Sequence, residues 1–285
     1  MSPETPPGDS ATDPTTTGAP APTPRRIALG VSYRGSAYDG WQSQPSGNTV
    51  QDRLERALAK FTTLESVHTL CAGRTDAGVH GLMQVVHFDC ALQRPDTAWV
   101  RGTNRFLPPD IAVQWAREVP PGFHARASAT ARRYAYVLLE SPVRPSVDNG
   151  QVGWVFRPLD QSAMQSAANT LLGEHDFTSF RASSCQAHSP VKDMRRISIA
   201  RRGAYWRFEF EASAFLHHMI RNIMGCLIAV GTGNRPPQWM AEVLAAKSRD
   251  AAAPTFAPDG LYFLGPVYDP SWNLPERTPA FDWLP

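Results

Sequence analysis

The segment Cys71-Ala72-Gly73-Arg74-Thr75-Asp76-Ala77-Gly78-Val79-His80-Gly81 centres one carboxylate in a glycine-rich loop. Gly73, Gly78 and Gly81 permit backbone conformations that a Cβ forbids. Arg74 lies two residues ahead of Asp76, so a turn can present both to one cleft. The strand-like run Gln84-Val85-Val86-His87-Phe88 follows at once. A charged loop held between buried strands is a common way to build a functional site, and an ionised carboxylate either attacks carbon or takes a proton. The competing reading is a polar turn closed by an Arg–Asp pair, and spacing alone does not choose between them.

Two further candidates lie far along the chain. On a helix expected over about 215–230, Ala214, His217 or His218, Arg221, Asn222 and Gly225 share one stripe of an otherwise apolar segment. An arginine buried there needs an anionic partner, either the carboxylate of the loop or a structural acid. His217 and His218 are adjacent, point differently and do not make a His-x-x-x-His metal pair; they read as packing groups or as groups facing a bound ligand. Tyr134 offers a ring that stacks on a base and a hydroxyl that hydrogen-bonds or relays a proton. Its alternative, a core aromatic, suits Tyr136 better.

The elements that must hold these groups mix strands and helices. Ile27, Leu29, Val31 and Tyr33 alternate as in a half-buried strand. Thr49 with Asp52 forms a variant capping box ahead of a helix whose apolar face is Leu54, Ala57, Leu58 and Phe61. Strands are expected at 66–71, 84–89 and 111–119, with a helix over 97–104 before the last. Pro120-Pro121-Gly122 marks a boundary between an N-terminal half, 25–122, and a C-terminal half, 123–285. The second half begins with a strand over 133–140 that puts Tyr134, Tyr136 and Leu138 on one face. Asp160 caps a helix through Leu172, with Gly173 as its stop. A hairpin is expected over 197–212, and two helices over about 215–230 and 237–247. The predicted fold class is α+β with mostly antiparallel sheets.

Composition sets the bounds. The 285 residues suffice for two domains or one large one. Residues 1–24 hold seven prolines and six threonines, no aromatic residue and no basic one, so they read as a disordered tail. They lack the basic start and apolar core of a signal peptide. Glu4, Asp9 and Asp13 give the tail −3 against a net +2 for the chain, leaving +5 on the remainder. Arg126, Arg132 and Arg133 cluster within 121–136 without an acid, and six basic residues within 191–207 face Asp193 alone. Aromatic residues interleave both clusters, a pattern suited to neutralising phosphates and stacking unpaired bases. No Cys-x-x-Cys pair suggests zinc, and the longest apolar run carries too many polar groups to span a membrane. Four reduced cysteines in a cytoplasmic protein are expected.

The loop around Asp76 resembles the signature of the tRNA pseudouridine synthases of the TruA family, in which Gly-Arg-Thr-Asp-x-Gly-Val-His holds the catalytic aspartate. The resemblance extends through Tyr38-Asp39-Gly40-Trp41-Gln42, Phe123-His124-Ala125-Arg126, Ala131-Arg132-Arg133-Tyr134, Gly173 to Arg181, Phe215 to Asn222 and Gly260-Leu261-Tyr262, in family order. One departure is Arg34, where many relatives have aspartate. The resemblance implies a pseudouridine-synthase fold of two RRM-like halves whose sheets meet at a central cleft. It implies catalysis by Asp76, paired with Arg221, and a site role for Tyr134. Leu261 would be an apolar wall under the base. Arg74 would fill the space of a flipped base or hold a phosphate, and Arg126, Arg132, Arg133 and Arg181 would contact tRNA. It further implies a homodimer, no cofactor or metal, and uridines 38, 39 and 40 of the anticodon stem-loop as targets. Three rivals stand beside this reading: a noncatalytic RNA-binding module, a metal-dependent hydrolase using Asp76, His80 and His87, and the same chemistry on another RNA.

Overall fold

The computed structural model describes residues 23–275, so nearly all of the tail expected at 1–24 lies outside the described residues. Arg25–Tyr33 forms β1, and His80–Cys90 and Ile111–Val119 form β3 and β4 on its two sides, both antiparallel to it. The short β2, Leu70–Cys71, adds to β3. The strand expected over 66–71 is thus cut to two residues. β1 is buried on both faces, not one, because Leu29 and Val31 pack into one apolar cluster while Ala28 packs into another behind the sheet.

Helix α1, Val50–Thr62, starts as its sequence predicts. Thr49 Oγ1 accepts from the Asp52 N–H at 3.2 Å, and Asp52 Oδ2 accepts from the Thr49 N–H at 3.3 Å. Helix α2, Asp96–Asn104, packs Trp99 against Phe61 and Phe88.

The second half supplies β5, Ala129–Glu140; β6, Gly153–Val155; β7, Gly173–Asp176; β8, Val191–Arg202; and β9, Tyr205–Ala212. Helix α3, Gln161–Asn169, is capped by Asp160, which accepts from the Ala163 N–H at 3.0 Å. Gly173 opens β7 with φ of +94°. Helices α4, Met219–Gly231, and α5, Trp239–Ala246, follow. Trp206, Phe208 and Phe210 share the buried face of β9 with Tyr134, Tyr136 and Leu138 of β5.

The last strand, β10 at Leu261–Tyr268, inserts between β3 and β5, parallel to the first and antiparallel to the second. The two halves therefore fuse into one sheet ordered β4-β1-β3-β10-β5-β9-β8-β7 among the described residues. The sheets of the two halves meet along β10, a C-terminal strand that supplies hydrogen bonds to both and makes them continuous. The fold is α+β and mostly antiparallel. Tyr33 pairs with Gly81, Gly81 with Phe263 and Phe263 with Tyr134. Partners in a ladder project to the same face, so the cores of both halves lie on one side of the sheet. The loop between β2 and β3 emerges over that seam.

Candidate active site

The Asp76 loop is built from backbone hydrogen bonds to two neighbouring segments. The Ala72 N–H donates to Val85 O at 2.8 Å, and the Trp41 N–H donates to Thr75 O at 3.0 Å. Tyr33 and Thr75 join hydroxyls at 2.8 Å, and the Gln84 side-chain amide donates to Gly73 O. Gly40, at φ of +91°, lies where a Cβ would meet Thr75 O at 2.7 Å. The Tyr38–Gln42 block is thus the cradle of the Asp76 block, which explains why both belong to one signature.

The Asp76 side chain is 18 % exposed and faces three basic groups. Arg221 Nη1 donates to Oδ2 at 3.2 Å. His217 Nε2 lies 3.3 Å from Oδ1, and His218 Nε2 lies 3.6 Å from Oδ2. Burial alone would push the Asp76 carboxyl up, but the His217 hydrogen bond and the charges of His218, His217 and Arg221 hold it below the ordinary carboxylate range. The contact with Asp76 raises His217, whereas burial lowers His218.

Helix α4 begins at Met219, one turn later than the sequence suggests. His217 and His218 therefore do not lie on the helical stripe with Arg221; they reach Asp76 from the turn before it. Both imidazoles face the carboxylate, a contact that the sequence did not assign to them. Adjacent residues converge here because His218 takes left-handed φ of 61°, a strained backbone for a non-glycine that persists only when its surroundings enforce it. The two rings lie 4.0 Å apart.

Arg221 is fixed from behind. Its Nε donates to Phe256 O at 2.9 Å, and the Phe256 N–H donates to Arg221 O at 3.1 Å. Gly225 lets this segment approach α4: a Cβ there would stand 2.2 Å from Pro254 O. Asn222, fully buried, donates to Phe180 O at 2.8 Å and accepts from Thr255 Oγ1 at 2.6 Å. Sequence reasoning missed Phe256 because its contribution is a backbone carbonyl, which no side-chain pattern reveals.

Tyr134 projects into the same seam. Its ring centroid lies 4.9 Å from that of Phe263 and 5.1 Å from that of Phe215, edge-on to the latter. Burial pushes its phenol well above the ordinary range, so the hydroxyl keeps its proton at neutral pH. Leu261 is buried in the same cluster. Tyr136 instead donates its hydroxyl to Ala257 O at 2.8 Å, the structural role that its alternation suggests.

The arginines expected to meet RNA divide. Arg74 and Arg126 are exposed, and Arg133 is half-buried. The Arg132 guanidinium is occupied by the carbonyls of Ala72, Ala129, Ser213 and Arg126, so it ties β5 to the start of the Asp76 loop. Arg181 donates to Cys185 O and Ala187 O within its own loop. The basic run at 191–207 is less positive than its sequence window. Arg196 and Arg207 pair with Glu209, Arg201 with Glu140, and Arg195 with Asp193; strand pairing imports acids from outside the window.

The metal grouping of Asp76 with His80 and His87 does not form. His80 Nδ1 accepts from the Gly35 N–H at 3.1 Å, so Nε2 bears the proton and donates to Asp259 O at 3.0 Å. His87 Nδ1 accepts from the Ala125 N–H, and burial lowers its imidazole to about 4. Among the described residues, the ligand atoms of Asp76, His217 and His218 lie within 4.8 Å of one another. A cation there would stand beside the Arg221 guanidinium on the same carboxylate, which repels it. The four cysteines are unpaired. No helix among the described residues is long and apolar enough to cross a membrane.

One carboxylate held charged on a buried loop is opposed by an arginine and bordered by a tyrosine at the seam of a mixed sheet. Residues 30–126 and 167–269 match the family model described as tRNA pseudouridine synthase, and the chain belongs to that family. It is 70 % identical over 278 residues to tRNA pseudouridine synthase A of Paracidovorax citrulli, covering 91 % of this chain and all of that one. It is 69 % identical to the Delftia acidovorans protein of the same name, with the same coverage. Among solved structures, an archaeal box H/ACA sRNP Nop10–Cbf5 complex aligns at 10 % identity over 81 % of this chain and 61 % of that one, with a TM-score of 0.34, too distant to add weight.

Proposed function

We propose that this chain isomerises uridine to pseudouridine at positions 38, 39 and 40 of the tRNA anticodon stem-loop, with Asp76 as its catalytic residue. The observation that carries the reading is the Asp76–Arg221 pair, which joins two of the family's blocks, 145 residues apart in sequence, at 3.2 Å. The reaction breaks the N1–C1′ bond, turns the uracil and forms C5–C1′; a proton leaves C5 and one is gained at N1. It needs a charged carboxylate at a site that excludes water; Arg221 supplies a permanent compensating charge, and His217, raised by its contact with Asp76, adds to it when protonated. Asp76 either attacks C1′ or takes the C2′ proton; its charged state serves both.

Extruding the target uridine costs a few kcal/mol in lost stacking and pairing. The Tyr134 ring, backed by Phe263 and Phe215, is the surface on which the base rests, and Leu261 is the wall beneath it. Because burial keeps the Tyr134 hydroxyl protonated, its role is to donate or relay, and the C5 proton needs a further acceptor. Arg74 fills the vacated stack or meets a phosphate. Arg126 and Arg133 add salt-sensitive contacts, while Arg132 and Arg181 act by holding the loops that face the RNA. An A-form stem recognised by shape tolerates three neighbouring targets. The chain functions in the cytoplasm as a homodimer with one tRNA spanning both subunits, each comprising an N-terminal half, 25–122, and a C-terminal half, 123–285, without metal or nucleotide.

The test is pseudouridine mapping on full-length unmodified tRNA transcripts with uridine at one, two or three of these positions. Product confined to 38–40 supports the address. Product elsewhere in tRNA keeps the chemistry and discards the address.

A further inference from the structure

Arg221 holds one oxygen of the Asp76 carboxylate, Oδ2, and His218 approaches the same atom. The other oxygen, Oδ1, faces His217 Nε2 at 3.3 Å. A carboxylate fixed at one oxygen still rotates about its Cβ–Cγ bond; fixed at both, it does not. His217 is itself held on its far side. Its Nδ1 lies 3.1 Å from Ser184 Oγ, its backbone N–H donates to Cys185 Sγ at 3.4 Å, and its carbonyl accepts from the Ala182 N–H at 3.0 Å. The side chain is 40 % exposed, so it stands on the solvent side of the carboxylate, where a flipped base must enter. The groups facing it are Asp76, His218, Arg221 and Cys185.

We propose that His217 is a positioning residue for the isomerisation: it donates to Asp76 Oδ1 and locks the carboxylate's rotation, while the 182–185 segment locks the imidazole. This rests on Asp76 being the catalytic carboxylate. It also gives the loop that follows Arg181 a route to the reacting atoms, since displacing Ser184 or Cys185 turns the ring that orients Asp76.

The experiment compares His217→Gln, His217→Asn and His217→Leu with wild type and Asp76→Asn, measuring tritium release from full-length tRNA labelled at uridine C5. The Gln amide reaches the position of Nε2; the Asn amide does not. We expect His217→Gln to stay within about threefold of wild-type kcat, and His217→Asn and His217→Leu to lose roughly 100-fold, the scale of a misplaced catalytic group, with KM little changed. The acid limb of the kcat profile moves to higher pH in His217→Leu, because a group that holds Asp76 ionised is gone. Equal kcat in the Gln and Asn variants, with the acid limb unmoved, would overturn the proposal even if the Leu variant failed to fold. Full activity in Asp76→Asn would instead overturn the catalytic assignment on which it rests.

Discussion

Arg221 and Asp76 stand 145 residues apart in the chain and 3.2 Å apart in the fold, with the arginine anchored to Phe256 O on its other side. The sheet seam makes this possible: the loop before β3 carries the acid, α4 carries the base, and the segment leading into β10 locks the base in place. Removing the guanidinium leaves a largely buried carboxylate without its strongest permanent charge. Arg221→Met is expected to lower stability by about 1–3 kcal/mol and to move the acid limb of kcat to higher pH. Urea unfolding and a pH–rate series check both.

Asp76 and His217 titrate as partners. The carboxyl is depressed, so its share of stability is present above its unfolded value and lost as pH falls through the folded one. The imidazole is raised, so its share is complete below about 6.5 and lost as pH rises through the folded value. In Asp76→Asn the contact that raises His217 disappears while its burial remains. Its imidazole resonance should then titrate at lower pH than in wild type, as NMR of labelled histidine would read.

Gly225→Ala places a methyl where Pro254 O now lies at 2.2 Å. Backbone must yield, and the 253–256 segment that carries the Arg221 anchor moves with it. The expected cost is about 1–3 kcal/mol of stability. A fall in kcat larger than that in KM should accompany it, because Arg221 loses its register.

Arg132 and Arg126 separate structure from phosphate contact. Arg132 serves four carbonyls, including Ala72 O at the root of the Asp76 loop, so Arg132→Ala should lower the melting temperature. Arg126 is exposed; Arg126→Ala should leave melting unchanged and reduce the salt slope of tRNA binding by roughly one. Filter binding over a salt series distinguishes them.

Much of the fold was legible because its signals are local. The Thr49–Asp52 box, the Asp160 cap and strands 111–119 and 205–212 follow from neighbours in sequence. The insertion of β10 between β3 and β5 was not, since strand order depends on distant partners. The arginine at 221 on an apolar helix called for an anionic partner, but it was the resemblance that named Asp76 as that partner and chose Tyr134, because alternation alone does not separate Tyr134 from Tyr136. The roles of His217 and His218 were hidden by a helix expected to start a turn too early, when the left-handed residue at 218 turns both rings towards one acid. The 191–207 cluster misled for a related reason: its counter-charges sit across the sheet on Glu209 and Glu140.

Catalysis by the Asp76 carboxylate is checked by single-turnover pseudouridine formation with Asp76→Asn, matched to wild type for folding by circular dichroism and for tRNA affinity. Asn keeps the shape of the side chain and removes its charge. Wild-type binding is expected, with a loss of product of at least roughly 1000-fold, the scale of an essential catalytic group, and no recovery with added metal. Product at a rate near wild type from the folded, tRNA-bound variant would contradict catalysis by Asp76.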